Sequence, residues 1–496
     1  MKKKKEKFYI TTSIAYTNST PHIGFALEAI QADVIARYQR FLGKEVFFLT
    51  GTDEHGSKIE RAAKKAGKSP KKFTDEISSQ FKKLKEALNL SNDDFIRTTD
   101  KKRHWPSVKK VWLELRKKGD IYKKKYKGFY CVGCEAFITR KDLKDGKCAV
   151  HKKKPEVLEE ENYFFKLSKY QDKIEDAIKK DKIKIIPRTR KNEILSFIKE
   201  GIDDVSFSRS RKNLKWGIPV SDDKTQTIYV WSDALVNYIS ALDYAKGSKK
   251  FKDFWPADIH CIGKDIIRFH TIIWPGMLFS LGLVLPKNIF VHGFITSEGQ
   301  KMSKSLGNVI NPFELVEKYG IDPVRYFLLR EIPSTGDGDF SYEKFEARYN
   351  ADLAGGVGNL VARVIAMAEK VNSKSGAPNS RQISSSKFQT IISKTQKNYK
   401  RALDEFKFNE ALISIWDLIA FCDKYIEEER PWEKSKNQLK TINNLLSALG
   451  NIALLLQPFL PGTSEKIFKQ LGVKLGNKGQ LSFNIKKAKP IFPKYK

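Results

Sequence analysis

The stretch Phe8-Tyr9-Ile10-Thr11-Thr12-Ser13-Ile14 opens the segment of the chain that decides its fold. It is rich in β-prone residues, and turn-forming residues follow at positions 16–21. Apolar side chains then recur at helical spacing over residues 24–42, and residues 45–49 form a second apolar run. This order predicts a βαβ unit. Such units place ligands at the carboxyl ends of parallel strands.

The rest of the chain predicts an interrupted sheet followed by helices. Further strands are expected at residues 227–231, 258–262 and 289–294, in the same sheet as the first two. Beyond Tyr326 we expect no strands, and residues 351–470 show helical periodicity broken by a surface loop near 372–386. The predicted fold is α/β, a Rossmann-like parallel-sheet domain with an insertion, followed by an all-α bundle. Its expected bounds are 1–115 and 221–350 for the sheet domain, 116–220 for the insertion and 351–496 for the bundle.

Composition points to a globular protein with a polyanionic partner. The chain has 496 residues, of which 41% are hydrophobic, and this fraction is typical of neither disordered nor membrane proteins. Its formal net charge of +34 favours a nucleic acid, because lysine and arginine replace counterions on a phosphate backbone. Runs of lysine can also be surface composition, so charge alone leaves both interpretations open.

The chain is expected to be cytoplasmic. The hydroxyl-rich start predicts no signal peptide, and the apolar run at residues 452–460 is shorter than a bilayer span and contains Gln457 and Pro458. Five cysteines, three of them clustered, favour a metal site in a reducing compartment over a disulfide framework.

A zinc site is predicted within the insertion. Cys131 and Cys134 form one C-x₂-C pair, and Cys148 and His151 form a C-x₂-H pair. Two short chelating pairs on turns converge readily on a tetrahedral site with three sulfurs and one nitrogen, which suits Zn²⁺. Because four protein side chains would fill the coordination sphere, we expect a structural site.

Two other segments are suited to phosphate. His22 and Gly24 lie where the first helix is predicted to begin, and helix N-termini attract anions. Lys301-Met302-Ser303-Lys304-Ser305 alternates ammonium and hydroxyl groups, which suits a departing polyphosphate. Either segment alone is weak evidence, since a basic loop is more often only solvated.

Together the two segments resemble the paired signatures of class I aminoacyl-tRNA synthetases. Within that class the chain resembles the methionyl-tRNA synthetase family over nearly its full length. The resemblance is carried by four further stretches, Gly51-Thr52-Asp53-Glu54-His55-Gly56, Tyr229-Val230-Trp231-Ser232-Asp233-Ala234, Gly263-Lys264-Asp265-Ile266 and Phe290-Val291-His292-Gly293.

The resemblance implies activation of methionine by ATP, accompanied by Mg²⁺, and transfer of the methionyl group to the terminal adenosine of tRNA(Met). It implies catalytic roles for His22, Lys301 and Lys304, with Gly24 and Ser303 also binding ATP. It implies a methionine site, in which Asp53 would pair with the substrate ammonium. The residues of that site are Ser13, Ile14, Asp53, Trp231, Ala234, Leu235, Tyr238, Ile266, Phe269 and His270. It also assigns the zinc insertion to the acceptor end of tRNA.

One residue departs from the family pattern. Phe25 stands where the family's first signature has its second histidine, so one phosphate donor is missing. We expect the enzyme to be active and to rely more on Lys301 and Lys304.

The helical third of the chain resembles the family's anticodon-binding bundle. Asn359 and Arg363 are four residues apart, and Pro431 and Trp432 match a position where an indole stacks on an anticodon base. The chain shows no appended β-barrel domain, so we expect a monomer that makes no membrane contact.

Other classes of protein remain open at this point. A class I ligase for cysteine or a branched amino acid is the nearest, although the insertion is short for an editing domain. A small-molecule nucleotidyltransferase would have no use for the bundle. A non-enzymatic zinc-bearing RNA-binding protein fits the charge and Phe25, whereas Asp53 and both loop lysines favour an enzyme.

Overall fold

The computed structural model describes most of the chain. The described residues are 5–133, 136–138, 143–149, 152–302, 306–375, 386–433, 437–472, 474–475, 481–482, 484–486 and 489–495. The chain divides into two compact units. The first comprises residues 1–21, 39–86 and 90–292, and the second comprises residues 22–38, 87–89 and 293–496.

The longest strands, β3, β5 and β9, lie in the first half of the chain. In chain order they are β1 (Lys7–Thr12), β2 (Ala15–Tyr16), β3 (Glu45–Asp53), β4 (Asp94–Arg97), β5 (Ile121–Cys131), β6 (Ala136–Ile138), β7 (Leu143–Lys144), β8 (Lys147–Cys148), β9 (Glu156–Phe165), β10 (Lys184–Ile186), β11 (Val205–Ser206), β12 (Ser208–Ser210), β13 (Pro219–Val220), β14 (Asp223–Ile228), β15 (Ile259–Gly263), β16 (Asn288–His292), β17 (Ile295–Ser297), β18 (Gln300–Lys301), β19 (Gly338–Phe340), β20 (Lys474–Leu475) and β21 (Leu481–Ser482).

Helices dominate the second half. In chain order they are α1 (Ile23–Phe41), α2 (Ser57–Lys65), α3 (Pro70–Ala87), α4 (Trp105–Lys117), α5 (Gln171–Lys179), α6 (Arg188–Lys199), α7 (Val230–Ala234), α8 (Asn237–Ser240), α9 (Lys249–Phe254), α10 (Trp274–Leu281), α11 (Pro312–Tyr319), α12 (Ile321–Arg330), α13 (Tyr342–Arg348), α14 (Asn359–Ser375), α15 (Ser386–Asp404), α16 (Phe408–Glu429), α17 (Gln438–Leu456) and α18 (Pro461–Leu471). Two π-helical segments, Phe269–Ile273 and Tyr349–Gly358, directly precede α10 and α14.

The first unit is built on a parallel sheet. Its strands follow the order β10-β16-β15-β1-β3-β2, and β4 also pairs with β3. Every pairing in this sheet is parallel, and β1 lies between β15 and β3. The predicted parallel sheet of the Rossmann-like domain is therefore confirmed. Its central strands are apolar and buried, as expected for a sheet covered on both faces.

Two of the predictions about strands were wrong. Residues 227–231 do not add a strand to the main sheet: β14 pairs antiparallel with β12 and β13, and Val230–Ala234 is helical. A short apolar run does not distinguish strand from helix by periodicity. Beyond Tyr326, β19 pairs with β17, so strands continue past the predicted limit.

The region predicted as an insertion contributes to more than one sheet. Strands β11, β9, β5 and β6 form an antiparallel sheet, in which β5 and β9 pair over most of their length. In contrast, β10 lies in the same region and joins the parallel sheet beside β16. The domain bounds inferred from the sequence stay a prediction.

The second unit contains the bundle of long helices, as predicted. Two helical stretches, Tyr342–Val371 and Gln438–Leu456, are long and apolar enough to cross a membrane by length and composition. Half of the first apolar stretch and about two thirds of the second are buried within the protein. Their apolar side chains therefore contribute to the core of the unit.

A histidine is buried at the centre of the parallel sheet. Thr11 of β1 is in register with His260 of β15, and the Thr11 hydroxyl lies 2.8 Å from His260 Nδ1. The rings of Tyr238 and His260 have centroids 4.1 Å apart. Burial, with a smaller contribution from His270, lowers the pKa of His260 well below its ordinary value.

This histidine makes the stability of the fold depend on pH. An unfolded chain protonates His260 below about pH 6.5, whereas the folded chain keeps it neutral, so stability falls as pH decreases below that value. When the pH is lowered from 7 to 5, the free energy of unfolding of the wild type should decrease by roughly 2 kcal/mol more than that of His260→Asn, measured by urea denaturation. Thr11→Val is the control, since it removes the hydrogen bond and keeps the imidazole. Equal pH dependence in both variants would contradict the assignment.

Candidate active site

Candidate residues follow three neighbouring parallel strands. Ser13 and Ile14 come directly after β1, and the Ser13 amide donates to the Cys261 carbonyl of β15 at 2.9 Å. Asp53 is the last residue of β3 and is 7% exposed. Ile266 ends the turn that follows β15. The carboxyl edge of the sheet, where open α/β sheets bind ligands, therefore carries residues from all three strands.

Two aromatic side chains form one wall of the candidate pocket. Trp231 of α7 stacks on Phe269, with ring centroids 3.6 Å apart and planes 9° apart. Phe269 begins the π-helical segment, a rare geometry that is frequent at functional sites. Ala234 and Leu235, at the end of α7 and close to Trp231 in sequence, are buried. The result is an apolar surface suited to an unbranched thioether.

A hydrogen-bonded pair orients a second part of the pocket. The Tyr238 hydroxyl lies 2.7 Å from His270 Nε2, and His270 Nδ1 lies 3.0 Å from the Ile266 carbonyl. A carbonyl only accepts, so Nδ1 carries the proton and Nε2 accepts from the tyrosine. The Tyr9 hydroxyl in turn donates to the Tyr238 carbonyl at 2.7 Å. Tyr238, Ile266 and His270 are therefore brought together and held in one arrangement.

A buried carboxylate between two histidines supports these segments, and sequence reasoning missed it. Asp233 Oδ2 lies 2.6 Å from His55 Nδ1, and Asp233 Oδ1 lies 2.7 Å from His104 Nε2. Burial opposes ionisation of Asp233, but the two histidines hold its pKa below the ordinary value. His55 is two residues beyond Asp53, and Asp233 is two beyond Trp231, so the bridge ties the two segments together. His55 and Asp233 lie in two of the stretches that carried the family resemblance, and this was the signal in the sequence that could have identified them.

The His22 turn joins a histidine and a glycine at the start of α1. The Gly24 amide donates to His22 Nδ1 at 3.1 Å, so in the neutral ring Nε2 bears the proton and is the donor left for a ligand. A Cβ at Gly24 would lie 2.9 Å from the His22 ring, so a larger residue here would displace that ring. Loss of solvation lowers the pKa of His22, which favours the neutral form. The turn stands at the N-terminus of α1.

Residues 301–305, here called the lysine loop, come in sequence directly after a tight hairpin turn. Strands β17 and β18 pair antiparallel around Glu298 and Gly299, both with positive φ, as two-residue hairpin turns require. Lys301 ends β18 and is exposed, whereas Ser303 and Lys304 lie outside the described residues. The Ile23 amide donates to the Ile310 carbonyl at 3.0 Å. The structure thus brings the His22 turn against the segment that follows the lysine loop.

Two of the four predicted zinc ligands lie in one cluster. Cys131 ends β5 and Cys148 ends β8, and both are buried with Ile138. The backbone turns tightly at Cys148, whose amide and carbonyl bond to Lys153 and Lys152. Cys134 and His151 lie outside the described residues, among which no three potential ligands converge. Two thiols in one buried cluster on two turns fit a zinc knuckle.

The candidate anticodon residues lie at the start of α14 and just beyond the end of α16. Asn359 is exposed at the start of α14, and Arg363 one turn later pairs with Glu427 and Asp423 of α16. Pro431, two residues beyond the end of α16, is buried, and Trp432 is 52% exposed. Arg363 therefore contacts the helix that leads to Pro431 and Trp432.

Comparisons with known proteins agree with this arrangement. The model of the family described as tRNA synthetases class I (M) matches residues 8–141 and 138–365. The model described as the anticodon-binding domain of tRNA ligase matches residues 386–491.

Curated relatives and solved structures give the same result. Methionine–tRNA ligase of Thermotoga maritima is 46% identical over 475 residues, covering 94% of this chain and 75% of that protein. The ligase of Brucella suis is 41% identical over 512 residues, covering 99% of this chain and 98% of its own. Mycobacterium tuberculosis methionyl-tRNA synthetase in complex with methionyl-adenylate superposes with a TM-score of 0.92 at 36% identity, covering 98% of this chain and 100% of that one. The chain therefore belongs to the methionyl-tRNA synthetases, the class I aminoacyl-tRNA synthetases specific for methionine.

Proposed function

We propose that the residues at the carboxyl ends of β1, β3 and β15 and those of the His22 turn carry out the two steps of a methionine–tRNA ligase. In the first step the methionine carboxylate attacks the α-phosphate of ATP, giving methionyl-adenylate and pyrophosphate. In the second step the methionyl group passes to the terminal adenosine of tRNA. The observation that carries this proposal is the stacked Trp231–Phe269 wall at the sheet edge where Asp53 ends β3.

The methionine side chain would be recognised by shape and by sulfur–aromatic contact. The wall of Trp231 and Phe269 would pack against the thioether, because sulfur interacts favourably with aromatic rings. Tyr238 and His270 would close the pocket, and the buried Asp53 carboxylate would pair with the substrate ammonium. The remaining proposed contacts come from Ser13, Ile14, Ala234, Leu235 and Ile266.

ATP would be held by positive charge and hydrogen-bond donors. His22 Nε2–H and the N-terminus of α1 would bind phosphate, and Gly24 would allow its close approach. Lys301 and Lys304, with the Ser303 hydroxyl, would stabilise pyrophosphate as it departs, which is electrostatic catalysis by preorganised charge. A Mg²⁺ that accompanies ATP would neutralise further phosphate charge.

The first test concerns Lys301. Because its ammonium would act on charge that develops as pyrophosphate leaves, Lys301→Ala is expected to lower kcat of methionine-dependent ATP–pyrophosphate exchange roughly 100-fold. The KM for methionine should change less than about twofold, since Lys301 would not touch the amino acid. Lys397→Ala on α15, which removes an exposed charge elsewhere, is the matched control.

The same assay separates the alternatives. Exchange should occur with methionine and with no other proteinogenic amino acid, with or without tRNA. Exchange with cysteine or a branched amino acid would contradict the assignment, as would no exchange at all, which is the outcome expected of an RNA-binding protein.

Phe25→His should raise the exchange rate less than about tenfold if the lysines compensate for the missing donor.

We propose a structural zinc ion held by Cys131, Cys134, Cys148 and His151. The burial of Cys131 and Cys148 in one cluster supports this proposal. When bound, the ion would cross-link two turns of the inserted region, and no catalytic step depends on it. The insertion would support the acceptor end of tRNA.

Zinc content tests this site. Wild-type protein should carry about one zinc per chain by elemental analysis, and Cys131→Ser should carry substantially less, because serine is a poor ligand for Zn²⁺. Cys422→Ser removes a different buried cysteine, in α16, and should leave the zinc content unchanged. Stoichiometric zinc in Cys131→Ser would rule the site out.

We propose that Asn359, Arg363, Pro431 and Trp432 read the anticodon. The indole of Trp432 is exposed enough to stack on a base, and Arg363 and Asn359 are one turn apart on α14. The net charge of +34 would favour association with the phosphate backbone.

Trp432→Ala should separate the two steps of the reaction. Loss of base stacking is worth roughly 1–3 kcal/mol, so aminoacylation kcat/KM should fall by about 5- to 150-fold. ATP–pyrophosphate exchange should stay unchanged, since it needs no tRNA. Leu439→Ala, which shortens another exposed apolar side chain, at the start of α17, is the control. Equal losses in both assays would mean that Trp432 has only a structural role.

We further propose a cytoplasmic monomer that makes no membrane contact. The proposed domains are a catalytic domain at residues 1–115 and 221–350, a connective insertion at 116–220 and an anticodon-binding bundle at 351–496. The family's role in translation and the extent of burial of the apolar helices support this assignment.

A further inference from the structure

A fully buried arginine connects α1 with the helical bundle. Arg325 of α12 is 0% exposed, and its guanidinium makes three hydrogen bonds and one ion pair. Its Nε donates to the Phe459 carbonyl at 2.7 Å, and its Nη2 donates to the Pro458 carbonyl at 3.0 Å. Both carbonyls belong to the turn between α17 and α18. The planar guanidinium thus binds the turn that connects the two bundle helices α17 and α18.

The same guanidinium also holds α1. Arg325 Nη2 lies 2.8 Å from Asp33 Oδ2, and the Asp33 side chain is fully buried. Asp33 is on α1, ten residues beyond Ile23, which is about 15 Å along the helix axis. Because a helix transmits position along its length, the register of Asp33 sets the place of the His22 turn at the N-terminus of α1. Arg325 Nη1 additionally donates to the Leu88 carbonyl at 3.0 Å.

A second contact joins the same elements. Gln31 Nε2 donates to the Ser334 carbonyl at 3.2 Å, and the Ser334 hydroxyl accepts from the Phe408 amide at 3.1 Å. Phe408 begins α16, the helix that ends just before Pro431 and Trp432. Hence α1 is linked to the bundle at two positions that are two residues apart, Gln31 through Ser334 and Asp33 through Arg325.

A buried charge pair at this place has a physical meaning beyond stability. Desolvation of two ions offsets much of their attraction, so apolar residues of similar volume often stabilise a core equally well or better. The best-attested use of a buried polar pair is to select one register between packed elements. Four oxygens from three separate segments converge on Arg325, which matches that use.

We propose that Arg325 is a positioning residue that holds the His22 turn in register with the anticodon-binding bundle, so that methionyl transfer to tRNA depends on it more than adenylate formation does. The proposal rests on the proposed function, since it assigns the His22 turn to ATP and the bundle to the anticodon. Arg325 touches no substrate, and it acts through Asp33 and α1.

The test compares two arginines that share one carboxylate. Arg325→Lys keeps the charge but loses the planar fork that reaches several oxygens. Arg37→Lys is the control, because Arg37 Nε donates to the same Asp33 Oδ2 at 2.7 Å while its Nη2 bonds to Asn89. For each full-length variant, kcat and KM would be measured in methionine-dependent ATP–pyrophosphate exchange and in tRNA aminoacylation, and folding would be checked by thermal melting.

The expected result is a split between the assays. In Arg325→Lys, kcat of aminoacylation should fall at least about tenfold more than kcat of exchange, because exchange needs the His22 turn alone, whereas aminoacylation also needs that turn in register with the bundle that would hold the tRNA. Trp432→Ala should then cost less than about threefold more in the Arg325→Lys background, since coupled residues are not additive. Arg37→Lys should change both rates by less than about threefold.

Any other combination overturns the proposal, including equal losses in both assays or an undiminished effect of Trp432→Ala. If Arg325→Lys does not fold, Asp33→Asn is judged by the same criterion, because it keeps all three carbonyl bonds of Arg325 and removes the ion pair to α1. It also removes the ion pair of Asp33 with Arg37, for which Arg37→Lys is the control. Wild-type enzyme measured beside the variants separates the two hypotheses. Failure of the wild type to charge tRNA with methionine contradicts the proposed function, whereas failure of the split alone contradicts only the role of Arg325.

Discussion

Parallel pairing of β1 between β15 and β3 is the constraint on which the first unit depends. Parallel strands end at the same edge of a sheet, so three segments that are distant in sequence deliver side chains to one place. Asp53 is delivered by β3, Ser13 and Ile14 by β1, and the turn to Ile266 by β15. The aromatic and histidine contacts of the pocket are then fixed by short helices that follow the sheet. The meeting of these candidate residues at one edge is therefore a consequence of topology.

Buried polar groups perform the finer positioning in both units. Asp233 between His55 and His104 ties the segment that contains Asp53 to the helix that contains Trp231. Arg325 performs a similar task between α1 and the bundle. Such groups are costly to bury and gain little net stability, but each accepts only one arrangement of its partners. The protein thus combines apolar packing, which supplies stability, with a few charged joints that define register.

Much of the fold and part of the candidate site could be predicted from the sequence. The strand at the start of the chain and the helix after it were located because their apolar periods differ. The strand expected at residues 227–231 was wrong, since the apolar run continues from β14 into a helix and a short run carries no decisive period. The pairing of β10 with the parallel sheet was missed because three residues, Lys184–Ile186, give too short a pattern.

The sequence by itself determined the family and supplied the candidate residues: the two segments proposed to bind phosphate, the cysteine pairs and the residues proposed for the pocket. These signals are local, because each depends on residue types at short spacing. Only the tertiary structure decided that His55 and His104 share Asp233, across separations of 178 and 129 residues, and that Arg325 reaches Asp33. Contacts at such separations are set by the packing of whole elements, and no spacing along the chain encodes them. That is why the candidate site residues could be named from the sequence, whereas the buried groups that hold their segments together could not.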